Sequence, residues 1–140
     1  MYLLNQANQA VRSRLETSLR ELGLTGIQYT VLSIVGARDG ISSAELSRRF
    51  FVTPQTMNEI VTGLEKRDLV SRKTSAENRR ILVASLTGQG RKTLEACDEI
   101  ADRIEREAFG AMDEADFREL RRLMRGLLSS LRGSSTGSLG

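Results

Sequence analysis

Gln55, Thr56 and Asn58 stand together on the polar side of a short amphipathic pattern, which continues through Glu59, Thr62 and Lys66. Met57, Ile60, Val61 and Leu64 fall at i, i+3, i+4 and i+7 and give the opposite, buried stripe. Glutamine and asparagine amides can pair with adenine edges, and threonine can contact an edge or a methyl group. A B-DNA major groove admits one helix, so this polar face could read bases. Thr53-Pro54 is a helix start, Thr as N-cap and Pro at the first helical position, and a helix N-terminus favours phosphate. Lys66, Arg67, Arg72 and Lys73 could neutralise backbone phosphates. Arg79 and Arg80 sit in a polar stretch between two strand-like segments, placed to enter a neighbouring minor groove. The carboxylate of Glu59 could accept from a cytosine amine.

These residues need a scaffold, and the pattern around them supplies one. Leu4, Ala7, Val11, Leu15, Leu19 and Leu22 give a first helix over 3–22, stopped by Gly23. Thr25 N-caps a second helix containing Ile27, Val31, Leu32, Ile34 and Val35. Ser42 and Glu45 form a capping box that opens a short third helix ending near Phe50 and Phe51. The fourth helix starts at Thr53-Pro54 and ends near Arg67. The period then changes to that of strands at 69–74 and 81–86, which with the polar loop between them read as a hairpin. Thr87 caps a fifth helix over about 88–109. A sixth runs from about Glu114 to Leu131. Any one of these helices could be an ordinary amphipathic helix with a wet face. The order of capping box, Thr-Pro start, hairpin and Arg-Arg tip points instead to a winged helix-turn-helix.

The expected fold is mostly α (α+β): six helices with a two-stranded β wing, and N- and C-terminal dimerisation helices. Residues 25–87 form the winged helix-turn-helix, 1–22 with 88–132 the helical dimerisation region, and the Gly/Ser-rich 133–140 a disordered tail. Leu4, Val11 and Leu15, with Phe117, Leu120, Leu123, Met124, Leu127, Leu128 and Leu131, are the expected dimer contacts. One winged domain cannot cover the seven large apolar residues of the sixth helix, and such a patch marks an interface.

Composition narrows the chemistry further. The 140 residues contain no histidine and one cysteine. Triads with a His base, His-ligated metal, Cys-cluster zinc and internal disulfides are excluded. Neither a Gly-rich phosphate loop nor paired carboxylates in a pocket point to an enzyme, and no cofactor or metal is expected. Asp98, Glu99 and Asp102 read as a solvated helix face balancing Arg103 and Arg106. The apolar runs are far shorter than the ~20 residues of a membrane helix, and no secretory signal opens the chain. A cytoplasmic, nucleoid-associated protein is expected. Net charge is +3, unevenly spread: residues 47–92 hold ten Lys/Arg against four Asp/Glu, and the remainder is net negative. A compact basic segment is the footprint of a polyanion-binding surface. A protein-docking winged helix would carry an uncharged or acidic wing instead.

The stretch from Leu24-Thr25 to Gly90 resembles the multiple antibiotic resistance regulator (MarR) family. The matching pieces are Leu24-Thr25, Gln28-Tyr29 and Leu32, then Glu45-Leu46-Ser47-Arg48-Arg49 and Val52-Thr53-Pro54-Gln55-Thr56. Leu64-Glu65-Lys66-Arg67, Leu69-Val70, Arg79-Arg80, Leu86-Thr87 and Gly90 complete the match. The resemblance implies a homodimeric transcriptional regulator, usually a repressor, with the fourth helix as recognition helix and the hairpin as wing. It implies double-stranded DNA with a pseudo-palindromic operator as partner, and a small, often aromatic or phenolic, effector. The candidate DNA contacts are Ser42, Thr53, Gln55, Thr56, Asn58, Thr62, Lys66, Arg67, Arg72, Lys73, Arg79 and Arg80. Arg14, beside an apolar helix face, and Tyr29 are the candidate effector contacts.

Three positions depart from the family pattern. Asn78 replaces an Asp that would orient Arg80, which is then expected to be held less firmly. Asp68 stands where a Gly is usual, and Asp tolerates the left-handed backbone at modest cost. Glu59 stands where a basic or small residue is common. Oxidant-sensing members carry a cysteine early in the first helix, and this chain has none there. Cys97 reads as buried core, leaving a redox switch only through pairing between subunits.

Overall fold

The computed structural model describes residues 1–134. The element order is α1 (Tyr2–Leu19), a 3₁₀ turn (Arg20–Leu22), α2 (Gly26–Ala37), β1 (Ile41–Ser42), α3 (Ser43–Phe50), α4 (Pro54–Lys66), β2 (Val70–Thr74), β3 (Leu82–Leu86), α5 (Gly88–Phe109) and α6 (Glu114–Ser134). The chain divides into two compact units, Met1–Ile104 and a second beginning at Glu105.

In the first unit, helix starts follow from local hydrogen bonding. The Thr25 side chain accepts from the Gln28 N–H while the Gln28 side chain accepts from the Thr25 N–H, a complete capping box. Ser42 supplies only half of its expected box. Its hydroxyl accepts from the Glu45 N–H, but the Glu45 carboxylate pairs with Arg38 at 2.8 Å. Thr53 caps α4 through the Thr56 N–H at 3.1 Å. Leu19, Val31, Leu32, Val35, Leu46, Met57, Val61 and Leu64 meet in one core, with Cys97 of α5 fully enclosed among them.

The sheet differs from the expected two-stranded hairpin. It has three antiparallel strands in the order β1-β3-β2, with Ile41 opposite Ala84 and Ser42 opposite Val83. Two residues are too few for alternation to register, and their partners lie more than forty positions away. The hairpin itself pairs Val70 with Leu86 through Thr74 with Leu82. Its strands begin one residue later than expected, at Val70 and Leu82.

The wing is fastened to the recognition helix by a short turn. Asp68 takes φ 59°, the left-handed conformation expected of it. The Thr87 hydroxyl donates to the Asp68 carbonyl and accepts from the Gly90 N–H, while the Thr87 N–H donates to the Leu69 carbonyl. Gly90 packs directly on that strand entry: a Cβ there would lie 1.9 Å from the Leu69 carbonyl oxygen. This close approach gives Thr87 and Gly90 a structural reason to occur three residues apart.

In the second unit, Asp113 caps α6 by accepting from the Asp116 N–H at 2.8 Å. Phe109 and Phe117 rings stand 5.4 Å apart and Arg121 lies over Phe117. α6 continues through Ser134, so residues 133 and 134 are helical rather than part of the expected disordered tail. The remainder of that expectation, 135–140, lies outside the described residues.

Candidate nucleic-acid interface

α3 and α4 pack against each other through Leu46, Met57, Val61 and Leu64, all buried. Burial of that stripe leaves Gln55, Asn58, Glu59 and Lys66 exposed on the other side of α4, with Thr62 half-buried. Gln55 is the most open of these: it is exposed in the first turn and its side chain makes no hydrogen bond among the described residues. Thr53 and Thr56 are exposed but already joined, the Thr53 hydroxyl donating to the Thr56 hydroxyl at 2.9 Å. Ser42 stands apart. It is buried at 7% exposure and its hydroxyl caps α3, so its side chain builds the helix that supports α4.

The cations expected to meet phosphates fall into two groups. Lys66, Lys73, Arg79 and Arg80 are exposed. Arg67 and Arg72 are engaged within the protein. The Arg67 guanidinium donates to the Gly23 carbonyl at 2.7 Å and to the Leu22 carbonyl at 3.1 Å, tying the end of α4 to the end of the 3₁₀ turn that follows α1. Arg72 turns onto α4 and donates to Asn58, Thr62 and Glu65. This hydrogen bonding holds the Glu65 carboxyl below the usual carboxylate range. Successive strand residues face opposite ways, so Lys73 is directed away from this cluster.

The wing tip is ordered by its own side chains. Ser75 accepts from the N–H groups of Glu77 and Asn78. Asn78 Oδ1 accepts from the Arg80 N–H at 3.1 Å. The neutral amide thus shapes the backbone at Arg80, although it places no negative charge beside the guanidinium. Arg48, Arg49, Arg91 and Lys92 are further exposed cations within the basic stretch of the chain. Arg91 and Lys92 were signalled in the sequence only by their share of the basic excess, and Arg48 and Arg49 also by the family resemblance.

The expected effector residues are placed less simply. The Tyr29 hydroxyl donates to Asp98 Oδ1 at 2.7 Å, joining α2 to α5. Burial, and then the Asp98 carboxylate, push the Tyr29 phenol well above its ordinary pKa. Asp98 is therefore a tertiary partner, not merely part of a solvated acidic face. Arg14 is exposed on α1. Burial pushes the Cys97 thiol up to about 11, the nearby Asp98 adding to the effect, so the thiolate needed for oxidation chemistry is disfavoured. No cluster that could hold a metal occurs among the described residues, and no described helix is long and apolar enough to cross a membrane.

Apolar residues also remain on the surface of each unit. Leu4 and Val11 are exposed on α1, and Leu123, Met124, Leu127, Leu128 and Leu131 on α6. Leu15 differs from its expected partners by packing against the core of its own unit. Phe117 and Leu120 are half-buried.

A recognition helix backed by a second helix, with a basic-tipped hairpin beside it, defines a winged-helix DNA-binding protein. The MarR family profile matches residues 22–81. The HTH-type transcriptional repressor Rv2887 of Mycobacterium tuberculosis is 31% identical over 88% of both chains. The crystal structure of Rv2887 in complex with p-aminosalicylic acid superposes with a TM-score of 0.73 at 30% identity, covering 90% of this chain and 95% of that one. The fold also matches apo MarR from Escherichia coli, with a TM-score of 0.77 at 21% identity over 91% and 95% of the two chains. This chain belongs to the MarR family of transcriptional regulators.

Proposed function

We propose that this protein is a homodimeric repressor that binds a pseudo-palindromic DNA operator and is released by a small aromatic acid. The carrying observation is the exposed face of α4, led by Gln55, beside a wing whose Arg79 and Arg80 project at its tip. Gln55, Thr56 and Asn58 read base edges in the major groove, while Arg80 enters the adjacent minor groove. Thr53, Thr62, Lys66, Lys73 and Arg79 complete the protein's DNA surface. Arg67 and Arg72 serve mainly to set the position of α4, and Ser42 to build α3.

Residues 25–87 act as the winged helix-turn-helix, and 1–22 with 88–132 as the dimerisation region. The exposed apolar residues of α1 and α6 support dimerisation, because separate apolar surfaces of this kind are unfavourable in water. The effector class is supported by the Rv2887 structures with p-aminosalicylic acid and with salicylic acid. Arg14 offers a guanidinium for a carboxylate and Tyr29 an aromatic wall, its hydroxyl being committed to Asp98. The protein acts in the cytoplasm at the nucleoid and catalyses no reaction.

Selection from a random duplex library tests this reading. A palindromic consensus is expected, with half-site centres ~34–36 Å apart. Recovery of DNA without a consensus would replace sequence reading by phosphate binding alone. Salicylate added to the selected duplex is expected to release the protein, and unchanged binding would remove the aromatic-acid assignment.

A further inference from the structure

Arg72 is a strand residue whose guanidinium lies on the recognition helix with only 13% of its side chain exposed. Nη1 donates to Asn58 Oδ1 at 2.8 Å. Nη2 donates to Thr62 Oγ1 at 2.9 Å and Glu65 Oε1 at 3.1 Å, and Nε faces Glu65 Oε2 at 3.5 Å. A single planar fork therefore spans positions 58, 62 and 65, at i, i+4 and i+7 on one face of α4. The charged Glu65 carboxylate holds the fork in place.

The chemistry of the guanidinium fixes the orientation of Asn58. Arginine has donors and no acceptor, so Asn58 must turn its oxygen toward Arg72. The exposed Nδ2 amine then faces away, and no further hydrogen bond holds it among the described residues. An unconstrained asparagine can pair with adenine through both amide atoms, donating to N7 and accepting from N6. Here the oxygen is already bonded to a cationic donor.

Resting on the DNA-reading function proposed above, we infer that Arg72 presents Asn58 to DNA as a hydrogen-bond donor, so that Asn58 favours base edges that offer acceptors, guanine through O6 and N7 or thymine through O4, tolerates adenine through N7 alone, and rejects cytosine, which presents only its N4 amine. Asn58 touches the base. Arg72 is a positioning residue that acts through it. A purely structural role for Arg72 predicts weaker binding at every sequence. This role predicts a changed base preference at one position of each half-site.

The experiment is library selection with the full-length protein and three variants: Asn58→Ala, Arg72→Lys and Asn58→Asp. The position read by Asn58 is the one whose preference Asn58→Ala erases. The parent is expected to favour guanine or thymine there by about tenfold over cytosine, with adenine between them. Lysine keeps the charge but cannot span Asn58 and Glu65 together, so Arg72→Lys is expected to erase that preference or move it to adenine, the bidentate partner of a free amide, while the rest of the consensus persists. Asn58→Asp offers an acceptor in place of the donor and is expected to shift the same position toward the amine bases. If Arg72→Lys binds no DNA, the Asn58→Asp result decides: a shift toward amines supports the assignment and a retained keto preference overturns it. Adenine preference in the parent, an unchanged preference in a binding Arg72→Lys protein, or no position altered by Asn58→Ala each overturn it. Absence of any consensus in the parent removes the DNA-reading function itself, and the assignment with it, before any variant is compared.

Discussion

Replacing Gly90 by alanine places a methyl group where the structure has no room. The new Cβ would lie 1.9 Å from the Leu69 carbonyl oxygen and 2.9 Å from its carbon, both backbone atoms. To reach ordinary contact, α5 and the entry to β2 must part by roughly 1.5 Å, which a close-packed interior resists. That separation breaks the Thr87 N–H bond to Leu69 and strains the Thr87 hydroxyl, which bridges Asp68 and Gly90. Overpacking costs about 1–3 kcal/mol and the lost hydrogen bond about 1 kcal/mol, giving ~2–4 kcal/mol in total. Whole domains are stable by about 5–15 kcal/mol, so the variant should be severely destabilised. Gly63→Ala is the internal control, because a methyl group added there, in mid-α4, would have nothing within 4 Å of it. It should stabilise by about 0.5–1 kcal/mol through helix propensity and a less flexible unfolded chain. Urea midpoints at one fixed protomer concentration measure both. A Gly90→Ala protein within about 1 kcal/mol of the parent, or a change of the same sign as Gly63→Ala, would refute the close-approach argument.

Arg80→Ala should weaken operator binding by ~1–3 kcal/mol at fixed salt, read by fluorescence anisotropy; unchanged affinity removes Arg80 from the DNA surface. Leu127→Glu places a charge among the exposed apolar residues of α6 and should dissociate the dimer, seen by light scattering at micromolar concentration; an intact dimer would move the interface elsewhere. Cys97 titrates near 11 in the folded protein against about 9 for an ordinary thiol. Between those values the unfolded chain releases a proton that the folded chain retains, so stability falls as pH rises through this window. Urea midpoints should fall less steeply over the same range in Cys97→Ala, and identical slopes would contradict the burial assigned to the thiol.

Much of the fold was legible because its signals are local. A cap is made within three residues and an amphipathic stripe repeats within four, so Thr25, Ser42, Thr53 and Thr87 marked helix starts wherever the chain folded. The polar face of α4 followed from the same periodicity, since Met57, Val61 and Leu64 must be buried for α4 to pack. The left-handed turn at Asp68 followed from the family resemblance, which puts a Gly there, and Asp tolerates that conformation at modest cost.

The sequence by itself determined the helices, the hairpin, the basic middle and the polar face of α4. Only the tertiary structure decided which polar groups remain available on that face. β1 exists because β3 supplies its hydrogen bonds from across the chain. Arg67 reaches back to Leu22 and Gly23, Tyr29 crosses to Asp98, and Arg72 turns away from solvent onto Asn58, Thr62 and Glu65. Residue type specifies that a guanidinium will donate hydrogen bonds, but not to what. The partner is fixed only when packing brings distant acceptors within reach, and that separates the arginines engaged on α4 and the preceding turn from those left exposed.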